Sequence, residues 1–115
     1  MSVKIYHNPR CSKSRQTLEL LRDRGLEPEV IEYLKDPPDA GELRRILDLL
    51  GLEPRDLMRR KEAPYADLGL GNPEVGDEAL IAAMAENPIL IERPIVLANG
   101  KARLGRPPEQ VAEIL

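Results

Sequence analysis

A strand-like run, a helix-like run and a second strand-like run follow one another within the first 34 residues. Val3-Lys4-Ile5-Tyr6 reads as a strand. Ser12 to Arg24 reads as a helix, with Leu18 and Leu21 on one face and Gly25 as its stop. Glu29-Val30-Ile31-Glu32-Tyr33-Leu34 is rich in β-branched residues and reads as the second strand. A strand, a helix and a strand within about 30 residues make a βαβ unit, whose two strands lie parallel in one sheet. That commits the chain to an α/β fold.

Further along, Asp36-Pro37-Pro38 breaks the chain, and Asp39 caps a helix with Glu42 three residues on. Leu43, Ile46, Leu47 and Leu50 fall at i, i+3, i+4 and i+7, an apolar helix face that Gly51 ends. Pro54 suits the first turn of a short helix to about Arg59. From Arg60 to Gly76 the pattern is loose. Asp77 starts another helix, with Leu80, Ile81 and Met84 inward and a stop at Asn87-Pro88. Ile95 to Ala98 and Lys101 to Leu104, joined by Asn99-Gly100, form the strongest hairpin signal in the chain. A last helix follows Pro107-Pro108, with Val111, Ile114 and Leu115 inward. The expected architecture is α/β with a sheet of about four mixed strands, β-α-β then β-β-α, and helices inserted between strands 2 and 3. This is similar to the thioredoxin-like order. Residues 1–115 are expected to form a single domain of ordinary size.

The loop between the first strand and first helix, His7-Asn8-Pro9-Arg10-Cys11-Ser12-Lys13-Ser14-Arg15, holds the only cysteine and the only histidine. Free N–H groups and the helix dipole make such a loop an anion site. A free cysteine has a pKa near 8.5, so roughly 3% is thiolate at pH 7. The helix N-terminus, Arg10, Lys13 and Arg15 all favour the anion. A pKa lower by about 2 would make roughly three quarters of it thiolate, a difference of about 2.7 kcal/mol. His7 would add to this if cationic, and Ser14 could donate a hydroxyl hydrogen bond. A lone cysteine is also commonly a small buried hydrophobe. Three cations and a serine within four residues argue for the reactive reading, because buried apolar sites rarely have such neighbours.

Composition narrows the partners. A net charge of −3 gives no reason to expect nucleic-acid binding. One cysteine excludes an internal disulfide, the start carries no signal pattern, and no apolar run approaches a membrane span. A cytoplasmic, reduced protein is expected, with a monomer as the default at this size. No Cys, His and carboxylate set has metal-ligand spacing, so no metal or bound cofactor is expected.

Several motifs together carry a family resemblance. His7 to Arg15, Tyr33-Leu34 with Pro37-Pro38, Arg59 with Pro64-Tyr65 and Leu68-Gly69-Leu70, Ile89 to Val96, and Leu104-Gly105-Arg106-Pro107 resemble the glutaredoxin-dependent arsenate reductases, in order and over nearly the whole chain. The resemblance implies that Cys11 attacks arsenate, that His7 and Ser14 help keep it ionised, and that Arg59, Arg93 and Arg106 hold the oxyanion. It implies a cis bond before Pro94, glutathione as co-substrate and glutaredoxin as electron donor. Guanidiniums suit this task because their planar fork matches an oxyanion bidentately. Taken singly, each arginine would be a solvated surface charge.

The loop reads Cys-Ser-Lys-Ser-Arg where members of the family read Cys-Gly-Thr-Ser-Arg. Ser12 restricts the backbone where N–H groups should face the anion, and Lys13 adds positive charge. Two other readings stay open. One is a glutathione-linked thiol oxidoreductase acting on another substrate, which uses Cys11 but needs fewer arginines. The other is a polymerase-binding regulator of the Spx type, against which stands Ser14 where a Cys-x-x-Cys switch would place its second cysteine.

Overall fold

The computed structural model describes residues 2–115. The chain forms two compact units. One runs to Asp36 and resumes from Arg93 to Leu115; the other is Pro37–Glu92.

The first unit is built on a four-stranded sheet. Its strands are β1 (Val3–His7), β2 (Glu29–Glu32), β3 (Ile95–Ala98) and β4 (Lys101–Leu104), in the order β2-β1-β3-β4. β1 pairs parallel with β2 and antiparallel with β3, and β3 pairs antiparallel with β4. The parallel pair is the one the βαβ pattern requires, with α1 (Ser12–Asp23) as the crossover. Val3, Ile5, Val96 and Ala98 pack against Leu18, Leu21, Val111 and Ile114. Every residue of the interior strand β3 is buried, while the edge strand β2 is mostly exposed. β2 stops at Glu32 and not at Leu34, because the Glu32 carbonyl accepts the amides of Lys35 and Asp36, both at 2.9 Å, and turns the chain. The hairpin is as the Asn-Gly pair predicts: Asn99 and Gly100 have φ of 54° and 71°, the left-handed pair such a turn needs. The final helix is realised as a 3₁₀ segment, Pro108–Ile114, with Val111 and Ile114 buried.

The second unit is helical. In α2 (Ala40–Leu50) the Asp39 side chain accepts from the Glu42 amide at 2.8 Å, and Leu43, Ile46 and Leu47 are buried. Gly51 closes it at φ 69°, the left-handed conformation of a helix C-terminus. A 3₁₀ turn, Pro54–Leu57, is shorter than the expected helix to Arg59. Met58 leaves it to bridge Ile91, with the Arg59 amide donating to the Leu90 carbonyl at 2.7 Å. The loose stretch after Arg60 contains α3 (Ala63–Asp67), a single short helix too brief to show a period. Arg55 holds the chain that follows: its guanidinium donates to the carbonyls of Leu70, Asn72 and Val75 at 2.8, 2.7 and 3.3 Å. α4 (Asp77–Glu86) buries Leu80, Ile81 and Met84 as its pattern predicts, and Arg44 of α2 pairs with its Glu78. Among the described residues no helix is long and apolar enough to cross a membrane.

Candidate active site

β1 delivers the chain to His7, and a tight turn follows. The Asn8 carbonyl accepts the Cys11 amide and its side-chain oxygen accepts the Arg10 amide, both at 3.0 Å. Asparagine makes such turns readily because its side chain mimics a backbone acceptor. The turn leaves Cys11 extended, at φ −93° and ψ 123°, as the N-cap residue of α1. Its carbonyl accepts the Arg15 amide at 3.0 Å, the first bond of the helix.

An N-cap side chain ordinarily offers an oxygen to the open amides of the first turn. Cys11 offers sulfur. The neutral thiol closes no cap hydrogen bond, but the first-turn amides favour its anion. Burial works against ionisation and is the largest single influence. The Ser14 amide, the Arg93 charge, the Lys13 amide and the Arg106 charge outweigh it, and the thiol titrates below its ordinary value. Cys11 remains 9% exposed. Of the local cations that the sequence suggests, neither Arg10 nor Arg15 is among the groups lowering it. Lys13 acts through its amide, while Arg15 donates to the Pro9 carbonyl at 2.9 Å.

Ser14 is fully buried. Its hydroxyl lies 2.6 Å from His7 Nδ1 and accepts the Asn8 amide at 3.0 Å. Its contribution to Cys11 is therefore the amide and not the hydroxyl that the sequence suggests. His7 is also buried, and burial pushes its pKa down. Glu32 acts the other way, and Arg22 and Arg15 lower it further. His7 is thus disfavoured as a cation and reaches the site through Ser14. Ser12 costs the loop nothing in backbone terms: among the described residues Asn99 is the sole non-glycine with positive φ.

Arg93 and Arg106 belong to the same unit as Cys11, each immediately before a cis proline. The Arg93-Pro94 bond is cis as the resemblance implies; the cis Arg106-Pro107 bond was not anticipated. Arg106 donates to the Arg93 carbonyl at 3.4 Å. Gly105 locks this corner: its amide donates to the Pro94 carbonyl at 3.0 Å, and a Cβ there would lie 2.7 Å from Pro94 Cγ and collide with Thr17 Oγ1. Arg59 belongs to the other unit, where its guanidinium pairs with Glu62 at 2.8 Å. Glu62 is three-quarters buried there. No i, i+3 charge pattern separates an exposed pair from a partly buried one. Among the described residues no group of His, Cys, Asp and Glu could hold a metal ion.

The site is a thiol favoured as its anion by two first-turn amides and two guanidinium charges. A model of the ArsC family matches residues 6–114. The chain is 61% identical to the uncharacterized protein YfgD of Escherichia coli (strain K12), over 98% of this chain and 96% of that one. It is 54% identical to an arsenate reductase of Neisseria meningitidis, over 98% of this chain and 97% of the relative. Among solved structures, an arsenate reductase from Vibrio cholerae superposes with a TM-score of 0.97 at 60% identity, covering all of this chain and 98% of the other.

Proposed function

The chain belongs to the ArsC family, and on that premise we propose that it reduces arsenate to arsenite through a Cys11 thiol–arsenate adduct. The observation that carries this is the Cys11 thiol itself: it caps α1, faces two first-turn amides and is drawn toward the thiolate by Arg93 and Arg106. The thiolate attacks arsenic, an S–As bond forms and water or hydroxide leaves. Arg93 and Arg106 neutralise the oxyanion so that an anionic nucleophile can approach it; Arg59 is the third arginine that the family resemblance implies for the oxyanion. His7 and Ser14 order the loop.

The electrons must come from thiols. Reduction of arsenic(V) to arsenic(III) takes two electrons: arsenate and two thiols give arsenite, one disulfide and one water. One cysteine supplies a single thiol. The second comes from outside, in this reading from glutathione, which attacks the adduct. Glutaredoxin then reduces the glutathione-linked disulfide.

The test is arsenate-dependent NADPH oxidation with glutathione, glutaredoxin and glutathione reductase present. Wild type should turn over and Cys11→Ser should not. Substantial activity in Cys11→Ser would remove the adduct from the scheme. No activity from a folded wild type would point to a different thiol substrate.

A further inference from the structure

The hydroxyl of Ser14 favours one protonation of His7. It is buried, and among the described residues its hydrogen-bond neighbours are the Asn8 amide and His7 Nδ1. The amide can only donate. A buried hydroxyl whose proton finds no acceptor is costly, so the proton goes to Nδ1. That nitrogen must then be bare, and the proton of the neutral ring must sit on Nε2.

Glu32 stands beside that ring. It is the register partner of His7 across the parallel β1–β2 pair, and partners in register lie on the same side of a sheet. Both residues line one cleft of about 430 Å³. A carboxylate there favours a ring that presents its N–H toward it, as second carboxylates do for histidines elsewhere. We propose that Glu32 is a positioning residue of the Cys11 site, holding His7 as the Nε2–H tautomer and so committing the Ser14 hydroxyl to His7 and the Ser14 amide to Cys11. The other charges around His7 are cationic. Arg22 and Arg15 act on it from α1. Arg10 and Lys35 line the cleft, and Lys35 lies 3.8 Å from the Glu32 carboxylate with both side chains well exposed. Among the described residues Glu32 is the one acidic group acting on the ring.

The inference concerns the same thiol as the proposed reduction, yet its readouts need no arsenate, so either can fail alone. His7 is the only histidine, which gives an unambiguous imidazole signal in long-range ¹H–¹⁵N spectra of labelled full-length protein. Wild type at pH 7.5 should show the proton on Nε2. Glu32→Leu should populate the Nδ1–H form, and Glu32→Gln, which keeps an oxygen at that position, should largely retain the wild-type form. The second readout is the pH dependence of Cys11 alkylation. Losing a negative charge near a thiol would by itself lower its pKa. The positioning role requires the opposite: in Glu32→Leu the pKa rises and alkylation at pH 7 slows by about threefold or more. A wild-type ring protonated on Nδ1 would overturn the proposal, as would an unchanged tautomer in Glu32→Leu or a thiol pKa that falls in both variants.

Discussion

Cys11 occupies a position that usually carries an oxygen. A serine or aspartate there would accept the first-turn amides directly; a thiol gains them only on ionising, so the helix start rewards the thiolate. The two side-chain charges that help come from residues 82 and 95 positions away along the chain, Arg93 and Arg106. Replacing Arg93 by Gln should raise the Cys11 pKa and slow its alkylation at neutral pH. It should also raise the KM for arsenate, since the same guanidinium is assigned to the oxyanion. A variant that weakens arsenate use while leaving the alkylation profile unchanged would separate the two roles. The sequence brings Cys11, His7 and Ser14 into one loop but does not show how they touch. It gave His7 a part only if cationic and gave Ser14 a hydroxyl to donate, because neither burial nor the 2.6 Å contact between them is visible in residue order.

The elements of the fold meet at glycine and arginine positions whose neighbours are remote in sequence. Gly105 is required because the end of β4 passes against Pro94 and Thr17 of α1. Gly105→Ala should cost about 1–3 kcal/mol, as overpacking a tight site does, seen as a lower midpoint in urea. Wild-type stability in that variant would mean the corner yields. Arg55 does the equivalent work in the helical unit, where one guanidinium holds three carbonyls of the stretch after α3. Arg55→Lys keeps the charge but not the fork, so amide hydrogen exchange over residues 68–76 should quicken while that of α2 holds. The apolar face of α2, the Asn-Gly hairpin and the βαβ unit were all legible beforehand, because each is written in local spacing. The Arg55 clamp and α3 were not, because a five-residue helix has no period and a carbonyl acceptor leaves no mark on the sequence.

At the scale of the whole molecule, the sheet is assembled from both ends of the chain, and two of its buried or partly buried titratable groups make stability depend on pH. His7 and Cys11 both titrate lower in the fold than in the open chain. A depressed pKa contributes stability that is present above the unfolded value and lost as pH falls through the folded one. Stability should therefore decline as pH drops below the ordinary histidine value of 6.5, and His7→Gln should flatten that part of the profile. An identical slope in His7→Gln would place the acid sensitivity elsewhere. The sequence by itself determined the α/β class, the parallel first pair, the hairpin and the loop that carries the thiol. Hydrophobic period, capping and turn chemistry act between residues a few positions apart. The tertiary structure alone decided which charges reach Cys11, which side chain meets the His7 ring and why residue 105 must be glycine. Those are matters of distance and burial between segments that only the closed sheet brings together.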